Sequence, residues 1–275
     1  MSFLGAGAPA HPTAIIVGVP YDATSTFRRG SALGPQAIRW ASQSIETYSP
    51  ILRRDLEALP YVDRGDLEIS GLSPEAMAEA VRTSVAAVGR EILPVLIGGE
   101  HTLTLGAVQA LAGHHRDLCV LQLDAHTDLR DEYDGHPVSH ATVMRRVAEV
   151  IPPERIIALG IRAGTREEFA LAERYRVGSS RLALTSEVWT WLQDRPVYVT
   201  VDIDVVDPSD APGTGNPEPE GIGAGELLRF VRRLADLRVV GLDLVEVSPP
   251  YDPSGRTAVL AATIIREALL ALRGT

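Results

Sequence analysis

The sequence predicts an α/β fold built on a mainly parallel sheet. Three observations point there. Short aliphatic runs alternate with longer segments of helical periodicity along most of the chain. The runs are apolar throughout rather than at every second residue, as strands are when helices cover both faces of a sheet. Several runs also break abruptly into glycine, proline or charged residues, where a strand passes into a loop.

Residues 14–19, AIIVGV, form the first predicted strand, which stops at Pro20-Tyr21-Asp22 before a polar loop over 23–34. Pro35 suits a first helical turn, so a helix over 36–42 follows. Residues 61–63 make a short strand ahead of a turn at Gly65. Ser73-Pro74-Glu75 supplies a capping serine, a proline at the first helical position and an acid in the first turn. The helix it opens is expected over 76–91, with Met77, Ala80, Val81, Val85 and Val88 on its apolar face. Residues 93–97 form a strand ending in Gly98-Gly99-Glu100-His101, followed by a helix over 102–112. The strand at 118–123 ends in Asp124-Ala125-His126-Thr127-Asp128, and a helix is expected over 141–150. A strand over 155–161 stops at Gly160-Ile161-Arg162-Ala163-Gly164, and Thr165 with Glu168 resembles a capping box for a helix reaching Arg174. The strand at 197–201 breaks into Asp202-Ile203-Asp204-Val205-Val206-Asp207-Pro208. The proline- and glycine-rich stretch 207–225 lies beside these charges, so it reads as a site wall rather than a linker. A helix over 226–235, a strand over 239–247 containing Glu246 and a final helix over 257–272 complete the chain. No repeat, low-complexity tract or linker interrupts it, so a single domain over 1–275 is expected.

Composition narrows the function. With 275 residues, 45% of them hydrophobic, the chain can bury a large aliphatic core. A net charge of −10 without a basic cluster argues against nucleic acid as a partner and suits a small cationic substrate. Cys119 is the one cysteine, so no disulfide within the chain and no thiolate zinc site is available; it reads as a core residue. The N-terminal MSFLGAGAPAHPT lacks a basic leader, and no run approaches the roughly 20 apolar residues of a membrane span. A cytoplasmic protein with no membrane partner is expected.

The polar breaks carry the functional argument. Glu100-His101, Asp124/His126/Asp128, Arg162, Asp202/Asp204 and Glu246 all follow strands. In a parallel sheet those ends lie along one edge, where ligands bind. Asp124, Asp128, Asp202 and Asp204 would bring about four negative charges together, with His101 and His126 as neutral imidazoles. Carboxylates that close repel and take up protons unless cations neutralise them. Two divalent metals would do so; one would leave about two charges over. An oxygen-rich donor set with two imidazole nitrogens and no sulfur suits Mn²⁺, with Zn²⁺, Co²⁺ or Ni²⁺ possible by affinity. Alone, each motif has a plainer explanation. DxHxD is compatible with exposed polar residues, and GGEH with a strand-to-helix turn. DxDxxDP is compatible with a turn or calcium loop, although Val206 and Asp207 break the EF-hand pattern. Recurrence at successive strand ends sets these aside. His11, His114 and His115 have no partner motif and read as ordinary histidines.

Together GVPYDATSTFRRGSALGPQAIR (18–39), GGEH (98–101), DAHTD (124–128), SHATVMRR (139–146), DIDVVDPSDAPGTGNPEPEG (202–221) and GLDLVEVSPPYD (241–252) resemble the ureohydrolases, the arginase and agmatinase family, over nearly the whole chain. The resemblance implies a three-layer α/β/α sandwich with a mostly parallel eight-stranded sheet, two Mn²⁺ ions, and a homo-oligomer, commonly a trimer or hexamer. Carried over by motif, the first metal takes His101, Asp124, Asp128 and Asp202. The second takes Asp124, His126, Asp202 and Asp204, so Asp124 and Asp202 bridge. By the same carry-over His140 is the catalytic histidine, a proton shuttle, Glu246 pairs with the substrate guanidinium, and Asp128 carries a proton to the leaving amine. A guanidinium carbon is a poor electrophile, and the implied attack is by a metal-bridging hydroxide. SHATVMRR, GIRAGTREE and LVEVSPPYD are agmatinase-like. Ala163-Gly164-Thr165 lacks the acid with which arginases hold an α-ammonium, and the stretch between Asp128 and His140 lacks their Asn/Ser pattern for an α-carboxylate. Agmatine, cleaved to urea and putrescine in polyamine biosynthesis, is therefore the expected substrate. Guanidinobutyrate, aminopropyl-agmatine and arginine are the alternatives within the family. Outside it stands a dinuclear metal phosphoesterase, for which Arg162 or Arg28-Arg29 would have to hold the phosphate.

Overall fold

The computed structural model describes residues 1–177 and 181–274. In chain order the elements are β1 (Ala14–Val19), α1 (Gly34–Ser42), β2 (Tyr48–Ser49), β3 (Arg54–Asp55), β4 (Tyr61–Asp66), α2 (Pro74–Ala86), β5 (Leu93–Gly98), α3 (Leu103–His114) and β6 (Cys119–Leu123). They continue with α4 (Val143–Val150), β7 (Ile156–Leu159), α5 (Arg166–Ala172), β8 (Arg176–Val177), α6 (Ser186–Gln193), β9 (Pro196–Asp202), α7 (Ala224–Arg233), β10 (Arg238–Val245) and α8 (Arg256–Arg273). Eight strands form one sheet in the order β4-β1-β5-β10-β9-β6-β7-β8. Every adjacent pair in it is parallel. β2 and β3 form a separate antiparallel ribbon.

Alternation along each strand feeds two cores. Cys119, Leu121 and Leu123 pack with α1, α6, α7 and α8 on one face. Val120 points the other way, toward α2, α3 and α4. Both sets are excluded from solvent, which is why the strands read as continuously apolar and why the architecture is three-layered, as expected. Among the described residues no helix is long and apolar enough to cross a membrane.

Local chemistry explains most element boundaries. The Ser73 hydroxyl accepts from Ala76 N, with Pro74 in the first turn. Thr165 and Glu168 form the reciprocal capping box. Several boundaries differ from the sequence reading. α2 stops at Ala86 rather than 91, leaving Gly89 and Arg90 in the turn to β5. α5 stops at Ala172, short of Arg174. β4 continues to Asp66, with Gly65 inside it at a φ of 79° rather than ending the strand. The cause is Arg39 of α1, which is buried and binds Asp63 through two nitrogens, at 2.7 and 2.9 Å, while also holding Asp66. The short β8 and β2–β3 pairs, and α6 with its Thr185 cap, lie in stretches the sequence reading leaves unassigned.

Candidate metal centre and cleft

The four central neighbours in the sheet, β5, β10, β9 and β6, supply every residue singled out as a ligand or guanidinium partner. His101 follows β5, Glu246 follows β10, Asp202 closes β9 with Asp204 in the next turn, and Asp124, His126 and Asp128 follow β6. Parallel strands side by side place those ends at one edge, so residues up to 145 apart in sequence come into contact.

His101, Asp124 and Asp128 present ligand atoms all within 4.8 Å of one another, as do Asp124, His126 and Asp204. Asp124 belongs to both groups. His101 Nδ1 lies 2.9 Å from Asp128 Oδ2, 3.2 Å from Asp124 Oδ2 and 3.6 Å from Asp202 Oδ2. His126 Nδ1 lies 2.9 Å from Asp204 Oδ2 and 3.8 Å from Asp124 Oδ1. The four aspartates are all buried. Burial, then the charge of Asp204, raises Asp124. Burial, then the charge of Asp124, pushes Asp128 up to about 7. Burial, then Asp204 and Asp124, holds Asp202 well above the usual carboxylate range. Burial acts upward on Asp204 too, but the charge and hydrogen bond of His126 outweigh it and the carboxyl sits below its ordinary value.

The arrangement fits bound metal. His101 is fully buried and its Nε2 bonds Thr200 Oγ1 at 2.8 Å. That partner fixes the ring, as the outer hydrogen bond of a metal-bound histidine does. Its Nδ1, faced by three carboxylates, has no hydrogen-bond partner among the described residues. A metal ion between that nitrogen and the carboxylate oxygens would satisfy all of them at once. The aspartates are themselves oriented. Gln122, the one polar residue in β6, donates from Nε2 to Asp124 Oδ2 at 2.9 Å and to His126 O at 3.1 Å. Ala125 N donates to Asp204 Oδ1 at 3.0 Å. Asp128 and Glu246 hold positive φ, 52° and 64°, and such strain in residues other than glycine costs about 1–3 kcal/mol unless the surroundings enforce it.

Above the cluster is a cavity of about 270 Å³, lined by His101, His126, Asp128, Asp202, Asp204, His140 and Glu246, with Asp124 beneath its floor. Glu246 Oε1 accepts from His101 N at 2.7 Å. Burial, then the charge of Glu100, holds the Glu246 carboxyl well above the carboxylate range, so its charge depends on a cation beside it. His140 is buried in the cavity wall, and burial, then His101 and His126, lowers it to about 4. Tyr133 stands edge-on to the His140 ring, 5.7 Å between centroids.

Other residues line or back the walls. Thr24 touches His140, and Glu100 of GGEH is enclosed by hydroxyl and amide donors. Glu168 accepts from Thr127 Oγ1 at 2.8 Å and Leu129 N at 3.1 Å, tying α5 to the loop after β6. Arg130 lines the cavity, stacked over Tyr133 at 4.8 Å, with Glu168 3.7 Å from its Nε. Ala163, Gly164 and Thr165 face the same cavity. Arg162 does not. It donates to the carbonyls of Gly160, Asp204, Val205, Glu218 and Pro219, pinning the 207–225 loop against the sheet edge. Arg29 donates to Ser25 O at 2.9 Å, and Arg28 stacks near Phe27 and Tyr251. None of the three expected phosphate-holding arginines lines the cavity.

Comparison with known proteins agrees with this geometry. The model of the Arginase family matches residues 12–271. Agmatinase from Bacillus subtilis is 42% identical over 263 residues, covering 94% of this chain and 91% of the relative. Guanidinobutyrase from Pseudomonas aeruginosa is 35% identical over 279 residues, covering 95% and 86%. The crystal structure of agmatine ureohydrolase of Thermoplasma volcanium superposes with a TM-score of 0.89 at 34% identity, covering 98% of this chain and 94% of that one. With a family model spanning nearly its full length and relatives of this similarity, the chain belongs to the arginase family and is a ureohydrolase.

Proposed function

We propose that the chain hydrolyses agmatine to urea and putrescine in a cleft that holds two Mn²⁺ ions. The observation that carries the reading is the unpartnered His101 Nδ1 among three carboxylates at the floor of a cavity walled by Glu246. His101, Asp124, Asp128 and Asp202 would hold one metal and Asp124, His126, Asp202 and Asp204 the other. Bound there, the pair would supply a nucleophile at neutral pH by acidifying water. Glu246 receives the guanidinium through charge-assisted hydrogen bonds, and the substrate's own charge ionises it. That contact turns the guanidinium carbon toward the aspartate cluster. Water adds to that carbon, the C–N bond to the alkyl amine breaks, and the amine leaves once protonated. Asp128, at the cavity floor, takes up that proton and returns it to the amine. His140, uncharged at neutral pH, exchanges protons at the cavity wall.

The substrate's far end decides among guanidines. Ala163, Gly164 and Thr165 offer no acid for an α-ammonium, and Glu168 beside them is committed to Thr127, Leu129 and Arg130, which weighs against arginine. The relatives named agmatinase support agmatine. A second reading, guanidinobutyrate, rests on Arg130, which lines the cavity 3.7 Å from Glu168 and would have to share its guanidinium with a carboxylate tail. Urea release from a panel of guanidines with Mn²⁺ added tests the choice. Agmatine should be fastest. Faster release from guanidinobutyrate would select the second reading, and equal or faster release from arginine would overturn both.

A further inference from the structure

We propose that Thr24 is a positioning residue for His140: its hydroxyl, committed as a donor to Glu100, keeps the imidazole proton on Nδ1 and leaves the Nε2 lone pair free on the opposite side of the ring. This rests on the reading of His140 as a proton carrier.

The argument is a count of protons. Glu100 is completely buried. Its Oε2 accepts from Thr24 N at 2.8 Å, Ser25 N at 3.0 Å and Ser25 Oγ at 3.3 Å. Its Oε1 accepts from Thr24 Oγ1 at 2.6 Å and Thr102 Oγ1 at 2.7 Å. Two of these partners are backbone N–H groups, which only donate, and the short hydroxyl contacts have the length of O–H···O⁻ bonds. A threonine hydroxyl has one proton, and here Glu100 takes it. Toward His140 the Thr24 oxygen therefore offers only lone pairs. One accepts from His140 N at 3.2 Å, and the other faces His140 Nδ1 at 3.3 Å. With the ring proton on Nδ1 that contact is a hydrogen bond. With the proton on Nε2, two lone pairs would face each other in a buried site.

The consequence is chemical. A residue that accepts a proton and passes it on needs an unoccupied lone pair toward its reaction partner. Bonding of one ring nitrogen to select the tautomer is what the aspartate does for the histidine of a serine hydrolase. Here the carboxylate acts through a hydroxyl. Thr24 and Glu100 come from the ends of β1 and β5, neighbours in the sheet, so the device is built into the same strand edge as the metal centre.

The experiment uses Thr24→Val, which keeps the shape and loses the hydroxyl, and Thr24→Ser, which restores it, each in the wild type and in His140→Asn. Urea release should show kcat reduced roughly 10²-fold in Thr24→Val, the scale of a lost proton-transfer role, with KM little changed. Thr24→Ser should recover most of it, and Thr24→Val should have no further effect in His140→Asn. In ¹⁵N-histidine-labelled full-length protein loaded with Zn²⁺, the His140 shifts should show a protonated Nδ1 and a bare Nε2, and Thr24→Val should abolish that preference. Full kcat in Thr24→Val beside a crippled His140→Asn overturns the positioning role alone. Equal losses in the valine and serine variants that persist in His140→Asn mark a structural role and also overturn it. An active His140→Asn overturns the proton-carrier reading and this proposal with it.

Discussion

Replacing Asp128 by asparagine should make the metal-free protein more stable. The Asp128 side chain is 10% exposed, and burial followed by the Asp124 charge moves its carboxyl from 3.8 to about 7. At 1.36 kcal/mol per pH unit, ionising it in the folded protein at pH 8 costs up to about 4 kcal/mol. The folded carboxyl binds its proton more tightly than the unfolded one, so this stability is whole below pH 3.8 and is lost as pH rises through about 7. Asparagine keeps the shape, has no charge to lose and tolerates the φ of 52° at this position. Scanning calorimetry of chelator-treated protein at pH 8 should place Asp128→Asn above the wild type by up to about 8–16 °C, taking roughly 2–4 °C per kcal/mol for a chain of this size. The gap should close toward pH 4. With Mn²⁺ added the order should invert, because the substitution removes a donor from the group that contains His101. A metal-free variant that melts at or below the wild type at pH 8 would refute the reasoning.

Gln122→Leu removes the donor that orients Asp124, and metal affinity by isothermal titration should fall roughly 10–100-fold with little change in melting. Gly99→Ala should destabilise by about 3 kcal/mol in chemical denaturation, since the new Cβ would sit 2.0 Å from the Tyr21 carbonyl oxygen, where backbone meets backbone. Glu267→Gln breaks a buried cluster with Arg232 at 2.6 Å, Arg266 at 2.7 Å and Ser49 at 2.9 Å, and should cost about 3 kcal/mol at pH 7. Burial raises the Glu267 carboxyl, but the two arginines outweigh it and hold it below 4.5. Its stabilisation is thus present above that pH and is lost as pH falls through the lowered value, so melting curves of variant and wild type should converge in acid.

The candidate metal centre was legible because its expected ligands fall in short motifs at strand ends. Asp124, His126 and Asp128 alternate directly after β6, and a parallel sheet brings such ends together without further information. Gln122 was visible as the lone polar residue in that apolar run, but its role depends on Asp124 folding back toward it. Thr24 was not legible: its partners Glu100 and His140 are 76 and 116 residues away, and a threonine in a polar loop carries no periodic signal. The extension of β4 past Gly65 depends on Arg39, which belongs to another element. Arg162 follows a strand like the ligands do, yet its side chain turns to backbone carbonyls of the 207–225 loop, a choice made by tertiary contacts. α6 has a capping threonine at Thr185, but eight residues give too short a pattern to stand out.

The central claim, that four neighbouring strand ends hold two metals sharing Asp124, is tested most directly by counting bound Mn²⁺ per chain after equilibrium dialysis. Two should remain on the wild type, one on Asp128→Asn, one on His126→Asn and none on Asp124→Asn, each fold intact by circular dichroism. A wild type that retains one metal, or an Asp124→Asn protein that still retains two, would contradict it.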